Sequence, residues 1–83
     1  MTLTLRYFAW VRERVGEPTE SVETEAATVA ELVEELRGRE DRYARAFADL
    51  RAVRVAIDQE IADFSAPIGG AREVAFFPPM TGG

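Results

Sequence analysis

The stretch TVAELVEELRGR, residues 28–39, decides the fold because it is the clearest secondary-structure element in the chain. Apolar residues recur in it at intervals of three and four, which predicts a helix with one apolar stripe. The stripe consists of Val29, Leu32, Val33 and Leu36. Thr28 and Glu31 have the T-x-x-E spacing of a capping box, in which each side chain accepts a hydrogen bond from a backbone N–H at the helix start. Gly38 is placed to end the helix.

Alternation of apolar and polar residues predicts strands on both sides of this helix. The predicted strands are residues 3–8 (LTLRYF), 19–24 (TESVET), 53–57 (VRVAI), 61–64 (IADF) and 73–77 (EVAFF). Residues 41–50 have Tyr43, Phe47 and Leu50 at helical spacing and predict a second, short helix. The sequence therefore predicts an α+β fold in which one sheet packs on one main helix, as two layers around one core.

Composition excludes several classes of function. The chain of 83 residues has room for one domain, and its net charge of −5 argues against a surface for nucleic acid or an anionic membrane. It contains no cysteine and no histidine, which removes thiolate chemistry, the usual general base and the commonest metal ligands. No metal site and no catalytic constellation is predicted. The N-terminus alternates without an apolar run typical of a signal peptide, so we expect a cytoplasmic protein.

The last eleven residues, EVAFFPPMTGG, have an unusual order of physical properties. A strand runs into Pro78 and Pro79, which cannot continue regular pairing and favour an extended backbone. Gly82 and Gly83 have no side chains and could pass through a narrow channel. We therefore predict one folded α+β domain over residues 1–77 and an extended C-terminal tail over residues 78–83, with a reach of about 20 Å.

The α-carboxylate of Gly83 is the one unusual functional group that this tail offers. An ATP-dependent enzyme could convert it to an acyl-adenylate, and a sulfur donor could then form a thiocarboxylate. The sulfur would be a transferable nucleophile, and the chain a carrier whose chemistry is performed by its partners.

Four segments of the chain resemble the small, sulfur-carrying subunit of molybdopterin synthase, a ubiquitin-like β-grasp family. They are RYFAWVRERVG (6–16), TVAELVEELRGR (28–39), DQEIADFSAPI (58–68) and EVAFFPPMTGG (73–83). The resemblance covers nearly the whole chain. It implies a mixed sheet on one main helix, a short second helix and a flexible C-terminal tail. Two positions depart from the family's common pattern: Asp58 stands where Asn is usual, and Ala71-Arg72 where Gly-Asp is usual.

The resemblance also implies a function and a set of partners. Gly83 would be adenylated, converted to a thiocarboxylate, and would donate sulfur to a cyclic pyranopterin precursor in molybdenum cofactor biosynthesis. The residues that would insert with it into the large subunit are Pro78, Pro79, Met80, Thr81 and Gly82. The implied partners are that large subunit, in a heterotetramer, an E1-like adenylating enzyme that uses ATP, and a sulfurtransferase as sulfur donor. The carrier subunit itself would be non-catalytic and would bind no cofactor.

Strand faces predict where such partners would bind. In EVAFF the two phenylalanines alternate, and we assign Phe76 to the core and Phe77 to the opposite face. Phe8 lies on the polar side of its strand, and Ile61 shares a face with Asp63. Phe8, Ile61 and Phe77 are therefore candidates for an exposed apolar patch near the tail, and such patches mark partner surfaces.

Other functions remain open from the sequence. The same carrier could deliver sulfur to a thiazole, to a tRNA base or to another cofactor. Gly83 could instead be joined to substrate lysines, as in a ubiquitin-like protein modifier. A plain β-grasp interaction module with an idle tail is the third alternative.

Overall fold

A computed structural model describes residues 1–79 of the chain. The described part contains five strands and three α-helices, and a 3₁₀ turn at Leu50–Ala52 precedes the third strand. The strands are β1 (Thr2–Tyr7), β2 (Thr19–Glu23), β3 (Arg54–Ile57), β4 (Glu60–Ala62) and β5 (Glu73–Phe77). The helices are α1 (Ala9–Val15), α2 (Val29–Arg39) and α3 (Asp41–Ala46). The predicted α+β fold, a mixed sheet with helices, is confirmed.

The five strands form one sheet in the order β2-β1-β5-β3-β4. The last strand in sequence is therefore the central one. It pairs in parallel with β1, with Leu5 opposite Val74 and Tyr7 opposite Phe76, and antiparallel with β3. Because β5 has a neighbour on each side, its position is set by two hydrogen-bonded ladders, and the residues after it leave from the middle of the sheet.

One apolar cluster joins one face of the sheet to α2. Leu3, Leu5 and Tyr7 of β1 alternate into it, as predicted, and Val74 and Phe76 do the same from β5. The predicted α2 stripe lies fully buried against them. The prediction that Phe76 points inward is confirmed. The other face of the sheet is left without a helix layer in the described residues.

The loop between β4 and β5 closes the N-terminal end of α2. Val29 N–H donates to the carbonyl of Ala66 at 3.1 Å, and Ala30 N–H donates to that of Phe64 at 2.8 Å. A helix cannot satisfy its first N–H groups internally, so this loop supplies the missing acceptors. Ile68 of the same loop is fully buried in the core. Its burial was not predicted, because no periodicity marks a single apolar residue in a loop.

The start of α2 agrees with the predicted capping box only in part. The Thr28 hydroxyl accepts a hydrogen bond from Glu31 N–H at 3.2 Å, as expected. The Glu31 carboxylate reaches past the capping residue and accepts from Ala27 N–H at 3.3 Å.

The predicted end of α2 at Gly38 is wrong. The helix continues through Gly38 to Arg39, and Glu40 is extended. Arg39 is held there because its guanidinium donates to the Glu23 carbonyl at 3.0 Å and to Glu35 at 3.1 Å. Since α3 begins at the next residue, Asp41, an extended corner at Glu40 redirects the chain without a left-handed glycine.

Helix α1 was not predicted from the sequence. It is seven residues long, with Val11 and Val15 buried four positions apart. Gly16 ends it at a φ of 96°, and its N–H donates to the Arg12 carbonyl at 2.7 Å. A glycine after two valines at helical spacing is the signal that could have revealed this helix.

A two-residue turn joins β3 to β4. Asp58 and Gln59 both have positive φ, 49° and 73°, as the favoured tight hairpin turn requires. One oxygen of the Asp58 carboxylate accepts hydrogen bonds from Arg72 N–H and Glu73 N–H, each at 3.0 Å. Asp58, at one of the two positions that depart from the family pattern, therefore ties the hairpin to the start of β5.

No helix among residues 1–79 is both long enough and apolar enough to cross a membrane. The cytoplasmic location remains a prediction.

A polar cluster beside the core joins β1, β2 and α3. The Glu20 carboxylate accepts hydrogen bonds from the Tyr7 hydroxyl at 2.8 Å and from the Tyr43 hydroxyl at 2.6 Å. Arg42 donates to the Tyr43 oxygen at 2.9 Å and pairs with Glu17 at 2.9 Å. Burial, followed by the hydrogen bond to Glu20, raises the pKa of both Tyr7 and Tyr43 above the ordinary value of 10.0.

The raised tyrosine pKa values predict alkaline unfolding. Above pH 10 the unfolded chain loses its phenolic protons while the folded chain keeps them, so the stabilisation that is complete below pH 10 is lost as the pH rises further. The chain has two tyrosines, so phenolate absorbance reports on Tyr7 and Tyr43 alone. We expect this absorbance to appear at a higher pH than in free tyrosine. It should appear together with the loss of the far-UV circular dichroism signal.

Replacing Glu20 by Gln should bring phenolate absorbance to lower pH and lower the free energy of unfolding by about 1–3 kcal/mol, since a charged acceptor is lost. Glu13→Gln, a change at an exposed position of α1, is the matched control and should change neither quantity. Tyrosines that titrate near pH 10 in the folded wild type would contradict the assignment.

Candidate functional site

The candidate site is the uncovered face of the sheet around the end of β5. Ala75 lies at its centre, opposite Arg6 of β1 on one side and Ala56 of β3 on the other. Ala56 and Ala75 have little exposed surface because the larger side chains around them cover these small ones. Two alanines side by side on neighbouring strands form a low floor in this face.

Larger side chains around the alanines make this floor a shallow groove of about 480 Å³. Phe8, Phe77, Pro78 and Pro79 contribute most of its apolar wall, and Arg6, Gln59 and Glu73 contribute polar atoms. Its lining within residues 1–79 contains carbon surface and one ion pair. The groove can therefore bind an apolar surface.

Phe8 is held at the junction between β1 and α1. Its N–H donates to the Phe76 carbonyl at 3.1 Å, and its carbonyl accepts from Val11 N–H at 3.1 Å. The chain turns at Ala9, whose φ of 51° costs a residue with a side chain about 1–2 kcal/mol. The Phe8 side chain is 40% exposed, and the Arg6 guanidinium lies 5.2 Å from its ring centre. These contacts keep a large ring at the surface.

The three residues of the predicted patch lie in two places on the same face. Phe8 and the half-buried Phe77 line the groove together, so the structure brings these two into one site. Ile61 lies outside the groove on β4, opposite Ala56, and is 75% exposed. The prediction that Phe77 points away from the core is confirmed. That the three residues bind a partner remains a prediction.

The predicted tail begins at this groove. Pro78 and Pro79 follow β5 directly and line the groove at its open end. Met80, Thr81, Gly82 and Gly83 lie outside the described residues. Their predicted roles, above all that of Gly83, are therefore not tested by the structure.

No cluster of three or more candidate metal ligands is present within residues 1–79. The charged groups nearest the groove are Arg6 and Glu73, 3.7 Å apart across β1 and β5. Sequence reasoning missed Arg6 and the alanine floor. Strand alternation could have found them, since it places Ala75 on the same face as Phe77.

Comparison with known proteins agrees with this architecture. The model of the ThiS family matches residues 5–83. The molybdopterin synthase sulfur carrier subunit of Escherichia coli is 39% identical over 77 residues, covering 93% of this chain and 94% of its own.

Two solved structures are similar in fold. SAMP1 from Haloferax volcanii superposes with a TM-score of 0.77 at 27% identity, covering both chains completely. A complex of subunits 1 and 2 of molybdopterin-converting factor from Helicobacter pylori contains a chain with a TM-score of 0.65 at 21% identity, again with complete coverage of both.

The two adjacent phenylalanines of β5 should differ sharply in their contribution to stability. Phe76→Ala should lower the free energy of unfolding by about 3–5 kcal/mol, because it removes a fully buried ring. Phe77→Ala should lower it by less than about 1 kcal/mol, because that ring faces the open groove. Urea denaturation followed by circular dichroism measures both. Equal losses of stability in the two variants would show that the groove face, the uncovered face of the sheet that carries Ala75 and Phe77, is part of the core.

Proposed function

We propose, because the chain belongs to the ThiS family, that it is a sulfur carrier subunit of molybdopterin synthase. The observation that supports this most strongly is the 39% identity, over nearly the full length of both chains, to a relative with that name. The resemblance of the C-terminal segment EVAFFPPMTGG to the ending of that family supports the same function.

The proposed chemistry takes place at the carboxyl group of Gly83. A carboxylate oxygen attacks the α-phosphate of ATP on an adenylating enzyme, and pyrophosphate leaves. Sulfur delivered at the oxidation level of sulfide then attacks the acyl carbon, and AMP leaves to give a thiocarboxylate. A persulfide donor would also require a thiol reductant to break its S–S bond.

Sulfur transfer would take place on the large subunit. The thiocarboxylate sulfur attacks an oxygen-bearing carbon of the cyclic pyranopterin precursor, so that a C–S bond forms as the C–O bond at that carbon breaks and the oxygen leaves with a proton. Water then cleaves the acyl–sulfur bond and restores the Gly83 carboxylate for the next cycle. The Helicobacter pylori complex of subunits 1 and 2 supports such a two-subunit assembly, and we extend the partner to this chain.

The chain's own residues would position and present the tail. Two hydrogen-bonded ladders hold β5, and Pro78-Pro79 restricts the backbone after it, so less entropy is lost when the tail is ordered in a channel. Phe8, Ile61 and Phe77 would supply the apolar contact surface around the tail. Gly82 and Gly83 would keep the end of the tail narrow.

Mass spectrometry of the intact chain tests this proposal. After incubation with the adenylating enzyme, ATP and a sulfur donor, we expect a mass gain equal to one sulfur replacing one oxygen at Gly83. Adding the large subunit and the pyranopterin precursor should then return the original mass and form molybdopterin. Deleting Gly83 should abolish both steps. The deletion leaves Phe76 and the rest of the core intact, so the loss would not result from unfolding.

The alternatives give different outcomes in the same experiment. A thiocarboxylate that the large subunit does not discharge would indicate sulfur delivery to another acceptor. Adducts of higher mass on lysines, lost when Gly83 is deleted, would indicate a protein modifier. No change in mass at Gly83 would contradict the carrier function.

A further inference from the structure

Two arginines stand on either side of the point where the tail leaves the sheet. Arg54 of β3 is directly opposite Phe77, the last residue of β5. Arg6 of β1 is opposite Ala75, on the other side of the same strand. Strand alternation puts both arginines on the groove face. We call Arg6 and Arg54 the arginine pair.

Arg54 is not neutralised within residues 1–79. Its guanidinium contacts two backbone carbonyls, that of Arg51 at 3.3 Å and that of Val53 at 3.5 Å, and no carboxylate of the described chain lies within 4.0 Å of it. Asp63 follows the neighbouring strand β4, but its carboxylate accepts hydrogen bonds from the Ser65 hydroxyl at 2.6 Å and from Ser65 N–H at 3.0 Å.

Arg6 is only partly neutralised. Its contact with Glu73 is long, at 3.7 Å, and its side chain is 42% exposed. It also lies against the Phe8 ring, so it is fixed beside the groove.

The charged side chain nearest the end of β5 is that of Arg54, which is opposite Phe77 and exposed. Arg6 is opposite Ala75, two residues earlier, and shares its charge with Glu73. An exposed arginine beside the start of the tail attracts an acidic surface before contact.

Any protein that takes up the tail must also cover the arginine pair. The four residues after Pro79 can extend by no more than about 14 Å. A partner that binds Gly83 in a channel must therefore bring the entrance of that channel close to Phe77 and to the arginines beside it. If the partner covers an arginine and offers no negative charge, the arginine loses its hydration without compensation. This loss disfavours binding.

We propose, on the basis of the proposed function, that the arginine pair binds carboxylates at the entrance of the large subunit's tail channel. The partner surface that fits has an apolar centre, which meets Phe8 and Phe77, and aspartate or glutamate side chains beside it. The arginine pair then determines specificity, because a surface with basic residues at the entrance is repelled.

Binding of the full-length chain to the large subunit, measured at several salt concentrations, tests the arginine pair. Arg54→Glu should weaken binding about tenfold or more, and Arg54→Gln by about two- to fivefold, mainly through slower association. The double variant Arg6→Gln/Arg54→Gln should also flatten the salt dependence of the association rate, since the screened attraction is removed.

Arg45→Glu is the matched control, because Arg45 is an exposed arginine of α3, a helix outside the groove lining, and the net charge changes equally. It should leave binding within about twofold of wild type, since it lies outside the proposed contact. Thermal unfolding of each variant verifies that the exposed substitutions leave the fold intact.

The possible results separate this inference from the proposed function. If wild type binds the large subunit and Arg54→Glu binds equally well, the arginine pair has no such role while the carrier function stands. An equal loss in Arg45→Glu would show an effect of net charge alone and would also overturn the inference. If wild type does not bind the large subunit, the proposed function fails and the inference fails with it.

Discussion

The parallel pairing of β1 with β5 is the constraint on which the rest of the structure depends. It brings the first and last strands of the described chain together at the centre of the sheet, with Tyr7 stacked on Phe76 at a ring distance of 6.0 Å. Phe47, which follows α3, packs edge-on against the same Phe76 ring at 4.9 Å. Because a parallel pair needs a long crossover, the intervening helix α2 must cross the sheet and cover it. One contact thereby sets both the core and the exit point of the tail.

The proposed site follows from the two faces of β5. Val74 and Phe76 point into the core and hold the strand, whereas Ala75 and Phe77 form part of the groove on the other face. Stability and recognition are therefore assigned to alternate residues of one five-residue strand. Both sets of residues belong to one strand, which two hydrogen-bonded ladders and the buried Phe76 ring hold in place. A partner that contacts Phe77 therefore contacts a fixed strand. This rigidity suits the proposed carrier function, because a segment that leaves from a fixed point is ordered at a lower entropic cost.

Most of the regular elements could be predicted from local pattern, and the errors have local explanations. The α2 stripe and the alternation of β1, β3 and β5 repeat often enough to be recognised. Helix α1 was missed because seven residues with two buried valines give little periodicity. Gly38 was read as a helix end, although the contacts of Arg39 with Glu23 and Glu35 continue the helix past it. The contact with Glu23 joins residues sixteen positions apart, and no local pattern reports it.

The sequence by itself determined the class of fold, the inward side of each main strand, the order of properties in the tail and the family resemblance. The class of fold, the strand faces and the tail depend on the period of apolar residues and on the backbone limits of proline and glycine, which act over a few neighbouring residues. The family resemblance depends instead on matching segments along nearly the whole chain. The tertiary structure alone decided that β5 is central, that Phe8 and Phe77 share one groove while Ile61 lies beside it, and that Arg54 stands opposite Phe77. These are consequences of strand order and register, which only long-range pairing sets, because many pairings of the same strands would satisfy the same local pattern.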